Sequence, residues 1–265
     1  MAGAFGYADA MRAAPAITMI TGTVDDGMPL SNLYDDQPGV RTRFNGSPVR
    51  FVVDFGASIT AGLIILGNTT LDETGVVRFY GSLTDPTGFA AEIMNESVVT
   101  TNASFCRGQA ALLLSADVSF RYLRIHIENA PGGVADVGFL AVFPTLRLNN
   151  GMAFGAFEGR LPTGTYDQNA FTGAEFPVPG LTAPRVARFT LPTLRTTEFY
   201  GTLRDMLDGL TIASNVAWVP ETTLSALELN RRTLFGRLLN PGQEYGITRD
   251  RPLLGTTSFA IRERI

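Results

Sequence analysis

Val49-Arg50-Phe51-Val52-Val53-Asp54-Phe55-Gly56 is the stretch from which the fold is read. Val49, Phe51, Val53 and Phe55 alternate with Arg50, Val52 and Asp54. A period of two sets one group of side chains on each face of an extended strand, whereas a helix needs apolar residues three and four apart. Outward from this stretch, between 49 and 143, short apolar runs are separated by Gly, Asn, Asp and Pro, which predicts strands at 49–55, 62–66, 76–82, 110–115, 122–128 and 137–143. Leu123, Ile125 and Ile127 alternate with Tyr122, Arg124, His126 and Glu128, which places the polar set on the outer face of its sheet. The runs 61–66 and 137–143 are nearly unbroken and apolar, the pattern of strands covered on both sides. These are the marks of a β-sandwich.

Beyond residue 143 the texture changes. From 144 to 180 the chain is Gly, Pro, Thr and Asn with isolated aromatics, which reads as a boundary followed by an irregular arm. A second patterned region follows. It has a strand at 186–191, a helix at 197–210 from the spacing of Phe199, Leu203, Met206, Leu207 and Leu210, and short strands at 217–220, 233–238 and 257–262. The reading is a mainly β protein with four parts. These are an N-terminal segment (1–23), a β-sandwich expected to fold alone (24–146), a Gly/Pro-rich arm (147–180) and a smaller β-rich domain containing one helix (181–265).

Composition narrows the function. The chain has 265 residues, 45% hydrophobic and 17% charged, enough apolar material for a core and too little charge for disorder. Every basic residue is Arg, and the 21 of them are scattered among 25 Asp and Glu, giving a net charge of −4. A nucleic-acid binder needs a concentrated positive stripe, so nucleic acid is not an expected partner. Cys106 is the only cysteine, which forbids an intramolecular disulfide and fits synthesis in a bacterial cytoplasm. The first 22 residues lack the basic start of a signal peptide, and no run approaches the roughly 20 apolar residues of a membrane span.

Several motifs in order then carry a resemblance. Asn32-Leu33-Tyr34-Asp35-Asp36 with Thr42-Arg43-Phe44 is followed by Val52-Val53-Asp54-Phe55-Gly56, Arg78-Phe79-Tyr80-Gly81-Ser82 and Arg121-Tyr122-Leu123-Arg124-Ile125, closing on 137–142. Residues 24–146 thereby resemble the discoidin, or coagulation-factor C-type, modules of the galactose-binding-like superfamily, which implies a jelly roll. Such modules often bridge their termini with a disulfide and carry aromatic spikes. This chain has one cysteine, and its only tryptophan, Trp218, lies in the other half. The second half is similar to the closing region of minor tail proteins of siphophages and gene-transfer agents. That likeness lies in Val216-Ala217-Trp218-Val219-Pro220-Glu221, in Arg231-Arg232-Thr233-Leu234-Phe235-Gly236-Arg237-Leu238 and in Ser258-Phe259-Ala260-Ile261-Arg262-Glu263-Arg264. It implies a virion tail-tip or baseplate component that assembles with itself and other tail proteins. The alternative is a carbohydrate-binding module for host surface glycan.

Candidate sites follow from both readings. A glycan would sit at the loop end formed by 34–45, 84–92 and 105–109, where Tyr34, Arg41, Arg43 and Arg107 combine stacking with directed hydrogen bonds. Asp35 and Asp36 are weak candidates for calcium, two carboxylates being few for a shell of six to eight oxygens. No other cofactor is expected. The aromatics Phe154, Phe157, Tyr166, Phe171 and Phe176 are too sparse for a core of their own and are expected to anchor the arm on neighbouring chains. His126 is the only histidine and sits mid-strand away from any nucleophile motif, while Asp35 with Asp36 and Asp72 with Glu73 read as turn residues rather than a glycosidase pair. The chain is therefore expected not to be an enzyme.

Overall fold

The computed structural model describes residues 2–35, 37, 39–85, 95–99, 108–149, 156–160, 165–168, 175–178, 183–211, 214–239, 248–251 and 254–264. The architecture is mainly β, with short helices in its second half. The first half supplies β1 (Ala4–Gly6), β2 (Ala16–Val24), β3 (Thr42–Gly67), β4 (Val76–Ser82), β5 (Asn95–Val99), β6 (Ala110–Glu128), β7 (Val134–Val137), β8 (Phe139–Phe143) and β9 (Thr145–Arg147). Strands β2, β3, β6, β4 and β5 lie side by side in that order, and β7 and β8 also pair with β3.

The runs 49–55 and 62–66 belong to one strand, not two. β3 pairs with β6 from Val49↔Ile127 to Asp54↔Tyr122, breaks register, and resumes from Ile59↔Phe120 to Leu66↔Ala110. The runs 110–115 and 122–128 are likewise a single β6. At the break Gly56 takes φ +74°, a left-handed conformation that suits glycine. Asp54 accepts the Gly56 N–H at 2.8 Å and the Arg121 guanidinium through bonds of 2.8 and 3.0 Å. Such an irregularity bends a ribbon without costing it its partner. Phe51, Val53, Ile64, Leu66, Phe79, Leu123, Ile125 and Val142, from both sides of the bend, share one buried core.

The outer-face reading of β6 needs a correction. Arg124 and His126 do lie opposite the core set, yet they are only 4% and 2% exposed. Cross-strand neighbours cover them: Arg50 and Arg78 flank His126 in register, the Tyr80 ring lies 4.7 Å from that of His126, and the Arg124 guanidinium sits 4.9 Å over Tyr80. Long side chains lying across a sheet bury what alternation alone assigns to solvent. His126 is accordingly an enclosed group whose pKa falls to about 4, first through burial and then through the charges of Arg124 and Arg50.

The second half supplies β10 (Phe157–Arg160), β11 (Thr165–Gln168), β12 (Glu175–Val178), β13 (Arg185–Arg195), β14 (Val216–Val219), β15 (Leu234–Leu238), β16 (Thr248–Arg251) and β17 (Leu254–Glu263). They form a sheet of order β10-β13-β17-β15-β14-β1-β9, with β16 on β17 and a separate β11–β12 ladder. Three expected boundaries dissolve here. Residues 1–23 are no separate segment: β1 is inserted between β14 and β9, while most of β2 pairs with β3 in the sandwich. Residue 146, the expected end of the sandwich, lies within β9 of the second sheet. The arm is not irregular throughout, since β10 pairs with β13 and β11 with β12. The expected helix at 197–210 is interrupted: α1 (Thr196–Glu198) passes through a wider turn, with Gly201 out of helical geometry, into α2 (Arg204–Gly209). A further helix, α3 (Ala226–Arg232), precedes β15 and is capped by the Ser225 hydroxyl on the Glu228 N–H.

The two sheets share buried surface, which explains the unbroken apolar runs. In 61–66, Ala61, Ile64 and Leu66 enter the sandwich core, while Leu63 and Ile65 join Ala4, Ala217, Val219 and Phe235 in a junction core. In 137–143, Leu140 and Val142 face inward, and Phe139, Ala141 and Phe143 face the junction. Phe139 stacks on Phe235 with ring centroids 4.1 Å apart. The second sheet has its own aromatic core, in which Trp218 stacks on Phe189 at 4.2 Å and packs against Phe5 at 4.6 Å.

Candidate functional site

The expected loop end is built from a tight turn and a strand start. Leu30–Tyr34 forms a single 3-10 turn that buries Asn32 and Leu33 and leaves Tyr34 half-buried at its end. The Asn32 amide donates to the Arg41 carbonyl at 2.8 Å, which fixes the chain where it enters β3. Thr42 is buried, so Arg41 and Arg43 point to the opposite face, as the period of two requires.

Both guanidiniums are oriented by residues distant in sequence. Arg43 is the ladder partner of Asp136 on β7 and forks onto its carboxylate through Nε at 2.7 Å and Nη2 at 2.9 Å. Arg41 donates through Nη2 to Asn68 Oδ1 at 3.0 Å. Asp136 is itself held by Thr70, whose hydroxyl accepts its N–H at 2.9 Å and whose N–H donates to its carbonyl at 3.0 Å. The Arg43 hydrogen bonds hold the Asp136 carboxyl below the usual carboxylate range, against burial, and the charges of Arg43 and Arg41 add to this. The same fork raises Arg43. Arg43 remains 39% exposed, and its Nη1 makes no hydrogen bond among the described residues. The site thus presents a planar donor locked by a bidentate partner, beside a second guanidinium and a carboxylate.

Of the four residues read from the sequence, Arg41 and Arg43 both act on Asp136, Tyr34 ends the 30–34 turn against the sandwich core, and Arg107 lies outside the described residues. Asp136 and Asn68 are the residues sequence reasoning missed. They stand 93 and 27 positions from the arginines they hold, and no local pattern links them. Of the calcium candidates, Asp35 serves its own turn by accepting the Gln37 N–H at 2.9 Å, and Asp36 lies outside the described residues. Among the described residues no group of three or more His, Cys, Asp or Glu side chains could hold a metal ion. No helix among them is long and apolar enough to cross a membrane. Of the arm aromatics, Phe157 is 52% exposed on β10, while Tyr166 and Phe176 lie on β11 and β12 at adjoining register positions. Phe154 and Phe171 lie outside the described residues.

No protein-family model matches this chain, and no curated protein matches it. Solved structures resemble it over about half its length. The CBM32 module of AlyQ, in complex with 4,5-unsaturated mannuronic acid, is 17% identical over 48% of this chain and 93% of its own, with a TM-score of 0.37. A Streptococcus pneumoniae fucose-binding module is 16% identical over 52% of this chain and 95% of its own, with a TM-score of 0.41. The lectin domain of lectinolysin, complexed with Lewis B antigen, is 12% identical over 52% of this chain and 98% of its own, with a TM-score of 0.40.

Proposed function

We propose that the chain is a non-catalytic carbohydrate-binding protein whose ligand is held at the loop end by Arg41, Arg43 and Asp136, with Tyr34 of the preceding turn as the stacking candidate. One observation carries this reading: Arg43 is clamped by Asp136 through two bonds and still offers an open Nη1 to solvent. A sugar presents adjacent hydroxyls at fixed spacing, and binding it rewards donors and acceptors already held in orientation. Titration calorimetry with neutral and acidic monosaccharides tests it. Arg43→Ala is expected to weaken binding at least tenfold while the chain stays folded at the titration temperature, which a melting curve verifies because the change also leaves the buried Asp136 carboxylate without its counter-charge. Unchanged affinity in that variant refutes the assignment.

A second reading, that of a tailed-phage tail-tip component assembling with copies of itself and other tail proteins, is favoured by one feature. Among the described residues β10 is the outer strand of its sheet and leaves Phe157 52% exposed, and an outer strand with an exposed ring is a surface for a neighbouring chain. Sedimentation of the full chain checks this: an oligomer that Phe157→Asp dissociates supports the reading, and a monomer at high concentration removes its support.

A further inference from the structure

Tyr7, Asp9 and Arg12, between β1 and β2, face Asp205 and Met206 on α2 and Leu210, Ser214 and Asn215 on the way to β14 across a cleft of about 570 Å³. That is within the range of pockets that hold small molecules. Tyr7 and Met206 give it an apolar wall, and Asp9, Arg12, Asp205 and Asn215 line it with polar groups. We propose that this cleft is a second ligand site and that its ligand is uncharged and hydroxyl-rich, a mono- or disaccharide. The proposal shares a ligand class with the loop-end reading but no lining residue with it.

The chemistry of the lining selects that class. Asp205 accepts hydrogen bonds and Arg12 donates them, with the internally bonded Asp9 and Asn215 behind them, so the cleft matches hydroxyls, which do both. Behind this lining, Arg237, Arg264 and Asp35 act electrostatically on the same group. Three guanidiniums thus stand against three carboxylates, and this balance favours neither an anion nor a cation. The polar groups are also held in place from outside the cleft. Asp9 Oδ1 accepts the Met11 N–H at 3.1 Å and the Val142 N–H at 3.0 Å, and its carboxyl is hydrogen-bonded by Asn215. Asn215 Oδ1 in turn accepts Arg264 Nη1 at 2.6 Å, which sets the direction of the amide. Orientation of this kind lowers the ordering cost of binding. Burial moreover raises the Asp9 carboxyl to about 6, as occurs for carboxyls set into binding clefts.

Calorimetry on the full chain with galactose, fucose, N-acetylglucosamine and lactose, beside glucuronate and inorganic phosphate, tests the site. Asp205→Asn and Arg12→Gln alter exposed side chains and preserve folding, which melting curves verify. At least one neutral saccharide is expected to lose tenfold or more in affinity in each cleft variant and to keep its affinity in Arg43→Ala. Affinity unchanged by both cleft variants and lost in Arg43→Ala overturns the cleft and leaves the loop-end site. Tighter binding of glucuronate or phosphate through the cleft residues overturns the ligand class. Binding of no saccharide overturns both sites.

Discussion

Asp9 and His126 hold their protons against their ordinary values in opposite directions, and their effects on stability therefore oppose each other. Burial raises Asp9 from 3.8 to about 6, so the folded state holds its proton longer than the unfolded chain does. The stability this contributes is complete below about pH 4 and is lost as pH rises through 6. Burial and neighbouring arginines lower His126 from 6.5 to about 4, so its contribution is complete above about 6.5 and is lost as pH falls through 4. Asp9→Asn keeps an oxygen for the Met11 and Val142 N–H groups. Relative to the unaltered chain it is expected to gain on the order of 2–3 kcal/mol between pH 4 and 7. His126→Gln is expected to gain a similar amount in the opposite direction, from pH 7 to 4. Urea unfolding at each pH measures both, and curves parallel to those of the unaltered chain would sink the assignment. At this scale the sequence showed Arg41 and Arg43 as candidates but not the carboxylate and amide that aim them.

Between elements, the ion pairs differ in what surrounds them, and this separates strong from weak. Arg185 at the start of β13 meets Glu263 on β17 at 2.7 Å with side-chain exposures of 7% and 12%, and also donates to the Arg231 and Thr233 carbonyls. Arg204 and Asp208 on α2 lie 3.3 Å apart with exposures of 56% and 69%. Glu263→Ala leaves a buried guanidinium without its counter-charge and is expected to cost about 3–5 kcal/mol. Asp208→Ala is expected to cost less than about 0.5 kcal/mol. Equal losses in chemical denaturation would contradict the burial difference. The elements themselves were unevenly legible. β4 was read at its observed limits because seven alternating residues give a clear period. β1 was missed because three residues have no period to detect. Its place is marked by two glycines, Gly3 and Gly6, where a side-chain carbon would meet Trp218 at 2.5 Å and Phe143 at 2.8 Å.

For the whole molecule the junction core, which draws buried side chains from both sheets, is expected to couple them into one folding unit. Phe235 stacks on Phe139 and lies 6.3 Å from Phe143, at the centre of that core. Phe235→Ala is expected to lower stability by about 3–5 kcal/mol, as large-to-small changes in a packed core do. It should also split a single calorimetric transition toward two, because the shared surface is what couples the halves. A variant that keeps one sharp transition and loses under about 1 kcal/mol would show that Phe235 is not what couples the two sheets. By the same logic, the expected autonomous unit 24–146 lacks most of β2 and leaves Leu63, Ile65, Phe139 and Phe143 without their cover.

What the sequence determined alone is whatever depends on near neighbours in the chain: the strand periods of 49–55 and 122–128, and the double-sided burial announced by 61–66 and 137–143. Those patterns are legible because alternation and apolar runs record burial residue by residue. Only the tertiary structure decided that two runs are one bent strand, that β1 crosses into the second sheet, that His126 is enclosed, and that Asp136 meets Arg43 across 93 residues. Each of these depends on which distant segments pack together, and that choice is made by the burial of the whole core rather than by any local run of side chains.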